Sequence, residues 1–307
     1  MNTKQLTTFV TLTDTGNYIK ASDRLSYAPS TLAKHIRSLE SELGVRLVEY
    51  RGNKIFLTEE GQRFHGYAMK ILETYWAATE EFSASGSLQG SIRVAGGEPI
   101  AGFSLSRLFL DFSAQYPNVY TSVQIINCAR IPAWIREREV DMGYTYEMEI
   151  LDNDHFSSIP LFNEPICLMT TKDNPLASYD KVYYQDLKGQ KFAFTYDDCC
   201  FTMVFRNRMR REGALPSSEL FLGSESAIMN SVYQDHRIAL MPLASVPLVQ
   251  DDRLICLPWA DEPLRSWVQI LYDRGRRLSP IEKELIRQTK DYVEDMVRKS
   301  DGQLCFP

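Results

Sequence analysis

Residues 29–44 read Pro29-Ser30-Thr31-Leu32-Ala33-Lys34-His35-Ile36-Arg37-Ser38-Leu39-Glu40-Ser41-Glu42-Leu43-Gly44, and this stretch decides how the N-terminal part of the chain folds. Leu32, Ile36, Leu39 and Leu43 recur at steps of 4, 3 and 4, one apolar stripe of an α-helix. Pro29 fits the first helical position, where its missing N–H is not needed, and Gly44 fits the C-terminal stop. At about 100° per residue, Ser30, Lys34, Arg37 and Ser41 lie opposite the stripe with Thr31 flanking them. That outer face is small, polar and cationic. Short hydroxyl side chains near a helix N-terminus can approach base edges while Lys34 and Arg37 reach bases or phosphates. Periodicity alone leaves an ordinary three-helix bundle with a solvated polar face equally open. His35 shares the helix, where a DNA contact or helix packing is expected ahead of catalysis.

Upstream, Leu6, Phe9 and Val10 recur at helical spacing until Gly16-Asn17 breaks the pattern. A short helix over Ile19 to Leu25 follows, and Ser26-Tyr27-Ala28 makes the tight connection to Pro29. Downstream, Val45 to Val48 and Lys54 to Leu57, separated by Tyr50-Arg51-Gly52-Asn53, read as a small β-wing that sets Arg51 and Lys54 beside a DNA backbone. The series Leu6, Phe9, Gly16, Ala21, Leu25, Ile36, Leu39-Glu40, Leu43-Gly44-Val45, Leu47, Leu57-Thr58 and Gly61 resembles the winged helix-turn-helix signature of LysR-type transcription regulators nearly end to end. Ala28-Pro29 and Ala33 depart from it, standing where that family usually has Ser-Gln and Ser. The resemblance implies double-stranded DNA as partner, with Ser30, Thr31, Lys34, His35, Arg37, Arg51 and Lys54 as the contact set. The half-site sequence is put in question by the lost cap and base contact.

Thr58 can cap a further helix with Glu59 and Glu60 in its first turn. Phe64, Ala68, Ile71, Tyr75, Ala78 and Phe82 then fall at steps of 4, 3, 4, 3 and 4, a heptad seam. Such a seam either pairs with a second copy or packs on its own body, and the resemblance favours a homodimer through this helix, with a homotetramer above it. Gly86-Ser87-Leu88-Gln89-Gly90 reads as a hinge. The domain plan is therefore a DNA-binding unit over 1–58, a dimerising helix and hinge over 59–90, and a C-terminal unit over 91–307.

In that last unit, strand-like runs (Ile92 to Ala95, Thr121 to Ile126, Asp141 to Tyr146, Phe192 to Thr195, Leu220 to Leu222, Arg237 to Met241) alternate with helical ones (Leu105 to Phe112, Ile131 to Val140, Phe201 to Glu212, Glu225 to Tyr233). The class is α/β, in two lobes of similar plan. It is similar to the periplasmic-binding-protein-like sensor of LysR-type regulators, whose chain crosses between lobes twice. The crossings are expected near Thr170-Thr171 and Trp267, giving lobe I about 91–169 and 268–300 and lobe II about 170–267. Open α/β lobes bind ligands outside the carboxyl ends of their strands. Those ends supply Glu98, Pro99, Ile100, Asn127, Cys128, Arg130, Thr145, Tyr146, Tyr196, Cys199, Cys200, Phe201, Ser224 and Glu225 as the expected effector site. The resemblance implies a small-molecule effector there, frequently a carboxylate. Arg130 could clamp an anion and Glu98 would repel one, while Tyr144, Tyr146, Tyr196 and Phe201 could stack on an aromatic ligand or simply pack.

Bulk properties fit this division. Among 307 residues with net charge −6, positions 1–58 carry eight Lys/Arg against five Asp/Glu and the remainder 26 against 35, a basic head on an acidic body. Six scattered cysteines without a C-x-x-C element predict neither zinc nor a disulfide framework, and no cofactor is expected. The N-terminus lacks the pattern of a secretory signal and no run reaches the length of a membrane span, so the expected compartment is the cytoplasm and no membrane partner is foreseen. Cys199-Cys200 at a helix start leaves a thiol-based redox sensor as the alternative function. An α/β enzyme is the rival from another class, but the chain has no G-x-G-x-x-G, P-loop, H-E-x-x-H or G-x-S-x-G, and its four histidines are dispersed, so no catalytic residues are assigned. The resemblance also allows RNA polymerase as a partner.

Overall fold

In the computed structural model, residues 1–25, 27–51, 54–81, 88–243, 252–260 and 263–299 are described, apart from the side chains of Asp14, Asp23, Arg24, Arg51, Lys54, Glu73, Ala77, Thr79, Glu80 and Glu81. The chain divides into two compact units, with the boundary between Gly90 and Ser91.

The first unit begins with α1 (Thr3–Thr15), α2 (Tyr18–Leu25) and α3 (Pro29–Leu43). Each boundary has a local cause. Asn2 caps α1 reciprocally with Gln5, and Gly16 (φ 62°) ends it. The Asn17 carboxamide oxygen accepts from the N–H of Ile19 at 2.7 Å. Ala28 offers α3 no side-chain cap, Pro29 removes one unmet donor, and Gly44 (φ 71°) closes the helix. Leu6, Phe9, Leu12, Leu32, Ile36 and Leu39 form the core. Leu43, expected on the same stripe, is 38% exposed because it lies on the final turn, past the packing of α1 on α3.

The wing is β1 (Val48–Arg51) and β2 (Lys54–Leu57), paired antiparallel with Val48 opposite Leu57. It begins later than Val45 because the Glu40 carboxylate already accepts from the N–H groups of Leu47 (2.8 Å) and Val48 (3.3 Å). Thr58 caps α4 (Glu59–Glu81) through the N–H of Gly61 at 2.9 Å. Only part of the expected seam stays on the surface. Phe64 and Ala68 join Met69, Leu72 and Trp76 in the core of the head, with the Phe9 and Phe64 rings 5.3 Å apart. Ile71, Tyr75 and Ala78 remain exposed, joined by Tyr67. Phe82, Gly86 and Ser87 lie outside the described residues.

The second unit is built on β3 (Gly90–Gly96), α5 (Ser106–Gln115), β4 (Val119–Ile125), α6 (Ile131–Arg136), β5 (Met142–Glu147), β6 (Phe156–Thr171), β7 (Lys191–Phe194), α7 (Cys200–Arg211), β8 (Ser218–Phe221), α8 (Glu225–Asp235), β9 (Ile238–Pro242), β10 (Leu254–Cys256), β11 (Arg265–Asp273) and α9 (Pro280–Lys299). The strands run in the order β4-β3-β5-β11-β6-β9-β7-β8, with β10 paired to β6. β6 serves both lobes. Its residues Phe156 to Pro165 pair with β11 and Ile166 to Met169 pair with β9, so the first crossing falls at Pro165/Ile166, ahead of Thr170-Thr171. All of β11 from Arg265 onward pairs in lobe I, which places the return crossing between β10 and β11, before Trp267. Parallel β3–β5, β7–β9 and β7–β8 pairs point their carboxyl ends toward the space between the lobes. No described helix is long and apolar enough to cross a membrane, and no described cluster of His, Cys, Asp and Glu is arranged to hold a metal ion.

Candidate functional site

The head presents the outer side of α3. Ser30, Lys34, Arg37 and Ser41 are exposed and Thr31 is half-buried, while Arg37 donates its Nε to the Ala33 carbonyl at 3.2 Å, laying the guanidinium along the helix. His35 turns the other way. Its Nδ1 is 2.7 Å from Thr8 Oγ1 and its ring meets Tyr27 edge-on at 5.8 Å. Burial, followed by the positive charge of Lys34 and Lys4, lowers its pKa from the usual 6.5. His35 therefore ties α3 to α1, and of the expected contact residues on α3 Ser30, Lys34 and Arg37 are exposed with Thr31 half-buried beside them. Arg51 and Lys54 are opposite each other in the wing backbone; their side chains lie outside the described residues.

Between the lobes of the second unit is a cavity of about 230 Å³. Ten of the expected residues line it: Glu98, Pro99, Asn127, Cys128, Tyr146, Tyr196, Cys199, Cys200, Phe201 and Glu225. Four do not. Ile100 is fully buried in its own lobe, and Thr145 is buried on the strand position next to Tyr146, where the side chain takes the opposite face. Ser224 leaves the position to Glu225. Arg130 ends the short 3₁₀ turn Cys128–Arg130, where successive residues point about 120° apart, so Cys128 faces the cavity and Arg130 faces solvent. The anticipated anion clamp is thus absent from the cavity. Tyr144 belongs to the core, its hydroxyl 2.9 Å from Thr289 Oγ1.

Residues outside the expected set complete the lining, among them Glu147, Asp198 and the Leu240-Met241-Pro242 end of β9. The strand-end rule that selected Tyr146 extends to Glu147 and to β9 as well. Contacts join the lobes around the cavity. The Glu98 carboxylate accepts from the N–H of Glu225 at the start of α8 at 3.0 Å, and Asn127 Nδ2 donates to Asp198 at 2.8 Å. The Cys200 thiol donates to the Tyr146 carbonyl at 3.3 Å, and the Tyr146 and Phe201 rings meet edge-on at 5.9 Å.

The local field is negative. Burial raises the Tyr146 hydroxyl well above its usual pKa, and Glu164 and Glu225 push it the same way. Tyr196 is raised by burial and then by Glu98, and burial raises Glu147. Cys128 is pushed up to about 11, chiefly by burial. Cys199 moves down, because contact with the Cys200 thiol and the N–H groups of Phe201 and Thr202 favours its thiolate against burial.

A helix face suited to duplex DNA and, further along, a two-lobed α/β unit enclosing a ligand-sized space define a transcription regulator that carries its own sensor. Comparison with known proteins gives the family. The bacterial regulatory helix-turn-helix model of the lysR family matches residues 3–62 and the LysR substrate binding domain model matches residues 85–294. The chain belongs to the LysR family of transcription regulators. It is 25% identical over 297 residues to the uncharacterized HTH-type transcriptional regulator YwqM of Bacillus subtilis (strain 168), covering 94% of this chain and 99% of that one. Its fold is similar to the OxyR C206 mutant of Corynebacterium glutamicum (TM-score 0.66, 19% identity, 97% and 94% of the two chains). It is also similar to full-length CbnR complexed with its target DNA (TM-score 0.53, 18% identity, 95% and 100%).

Proposed function

We propose that two copies of this regulator pair along the exposed Tyr67, Ile71, Tyr75 and Ala78 stripe of α4, present two α3 helices to a two-fold DNA site, and change promoter occupancy when a small molecule enters the inter-lobe cavity. The observation that carries the effector step is the cavity itself, walled by residues of both lobes and bounded by the N-terminal ends of α7 and α8. A ligand touching both lobes binds one inter-lobe arrangement more tightly than others, which is the requirement for a population shift. Ser30 and Thr31 are assigned to base edges and Lys34 and Arg37 to bases or phosphates, with Arg51 and Lys54 of the wing beside the backbone. The pairing supports a homodimer, with association of dimers into a tetramer and contact with RNA polymerase as the further steps at a promoter. This work belongs in the cytoplasm, where the DNA is.

The test is a footprint on the DNA upstream of the regulator's own gene, with and without molecules that raise its melting temperature. Occupancy or footprint length should change with a stabilising molecule. An unchanged footprint with a molecule that demonstrably binds would count against the effector step. A second reading, redox sensing, is favoured by one observation: the lowered Cys199 thiol at the N-cap of α7. Peroxide would take two electrons from the Cys199 thiolate, forming a sulfenic acid and releasing hydroxide as its O–O bond breaks. Mass spectrometry of the peroxide-treated protein, with a Cys199→Ser control, separates the two readings.

A further inference from the structure

We propose that the inter-lobe cavity selects an organic cation, a small amine or guanidine with an apolar body, and rejects carboxylates. This rests on the effector reading above and names the ligand class for it.

Three independent features lead there. The first is charge. Glu98, Glu147, Asp198 and Glu225 line the cavity, and no Lys, Arg or His is among the described residues that do. Arg130 points to solvent outside it.

The second is the fate of the natural anion sites. A helix N-terminus facing a cleft attracts an acid through its unmet N–H groups and its dipole. Here the protein fills the one at α8, where the Glu98 carboxylate from lobe I accepts from the Glu225 N–H at 3.0 Å; at the start of α7 the Phe201 and Thr202 N–H groups favour the thiolate of Cys199. An incoming carboxylate would have to evict Glu98 and then sit beside three other acids.

The third is hydrogen-bond polarity. Asn127 donates to Asp198 at 2.8 Å, Tyr196 donates to the Gly223 carbonyl at 2.8 Å, and Tyr146 donates to the buried Glu164 at 2.7 Å. These donors are engaged with protein acceptors, whereas a carboxylate offers about four acceptor sites, more than the single donor that Glu98 and Asp198 each receive in the contacts above, so the complementary ligand brings donors. An ammonium brings three and a guanidinium five, each with the compensating charge. Ile126, Phe201, Ile228 and Leu240 add apolar surface to the wall, with the Tyr146 and Phe201 rings edge-on at 5.9 Å. It accepts a hydrocarbon body and offers aromatic faces to a cation.

The experiment uses the full-length protein in thermal shift and isothermal titration. The probes are phenethylamine, hexylamine and agmatine, set against phenylacetate, hexanoate and the neutral 2-phenylethanol. At least one amine should raise the melting temperature and bind at least tenfold more tightly than the carboxylate or alcohol of like size. Its affinity should fall at least tenfold in Asp198→Asn. Glu225→Gln gives the same test at a buried position, and the exposed Asp198 keeps the comparison available if that variant does not fold. Equal or tighter binding of a carboxylate overturns the cation assignment and leaves the effector reading standing. Amine binding that Asp198→Asn and Glu225→Gln both leave unchanged also overturns the assignment. Silence of all six probes overturns the cation assignment, and the effector reading is then decided by the footprint with other stabilising molecules.

Discussion

Replacing Lys34 by Ala tests the DNA interface most directly, because the residue is exposed on the outer side of α3 and is not part of the head's hydrophobic core. If Lys34 reaches a phosphate, each removed contact lowers the slope of log K against log salt by about 0.9. Two heads on one two-fold site lose two contacts, a change of about 1.8. Over a fourfold rise in salt, from about 50 to 200 mM, the variant should therefore lose about twelvefold less affinity than the wild type, while binding more weakly at the low-salt end. Fluorescence anisotropy with a labelled upstream fragment gives the slopes. Lys172→Ala, an exposed lysine of the sensor unit, serves as the control and should leave the slope unchanged. A Lys34→Ala slope equal to that of the wild type, from a protein that remains folded and dimeric, would refute the phosphate assignment. An affinity loss confined to one base pair of the site would reassign Lys34 to base reading.

Ile71→Glu sets an acid into the exposed α4 stripe of both copies. Ile71 is 39% exposed, so each copy has about 0.6–1.2 kcal/mol of apolar burial to lose, and the two together should weaken the dimer about tenfold or more, read by sedimentation equilibrium. A Cβ on Gly61 would come 2.0 Å from the Leu47 carbonyl oxygen, a backbone atom that cannot swing aside. Gly61→Ala should therefore cost the head about 1–3 kcal/mol in denaturant unfolding, whereas Gly66→Ala, which meets nothing within 4 Å, should not. His35 binds a proton less readily folded than unfolded, so its contribution to stability is complete above its unfolded pKa of 6.5 and is lost as pH falls through and below that value. Unfolding of the wild type between pH 7 and 5 should show this decline, and His35→Gln should flatten it.

The head was legible because its boundaries are set by residues with one conformational use. Gly16 and Gly44 take positive φ, and Pro29 opens α3. Gly61 belongs to the family signature for a steric reason that only the fold reveals, the approach of α4 to Leu47. The seam on α4 divides between two faces of the helix. A single heptad stripe assigns one apolar face, but this helix has two: Phe64, Ala68, Leu72 and Trp76 face the head, and Tyr67, Ile71, Tyr75 and Ala78 are exposed. Residues in these stripes sit at neighbouring angles on the helix, and periodicity alone cannot say where the first surface ends. β6 left no strand signal at all. Pro160 and Pro165 interrupt it, and Asn163 and Glu164 break its apolar alternation. It forms because β11 pairs on one side through Pro165 and β9 takes over from Ile166, with a bulge opposite Val268/Gln269 accommodating the irregularity.

The cavity shows a different limit. Strand ends named most of its lining, since topology brings carboxyl ends together whatever their side chains. The sign of its charge did not follow from the same rule. Arg130 and Cys128 are two residues apart, and a single 3₁₀ turn sends one to solvent and the other inward. Glu98, read alone, looked like a defect in an anion site. Beside the Glu225 N–H it is the group that fills that site. The distinction has a consequence for evolution of effector choice. Glu98→Ser would free the start of α8 and remove one acid, yet Glu147, Asp198 and Glu225 would still face the ligand. A switch to carboxylate recognition therefore needs both the vacated helix terminus and at least one cation introduced among those acids. Neither change alone reverses the field, and a Glu98→Ser variant that bound phenylacetate unaided would show that the helix terminus, and not the summed charge, governs selection.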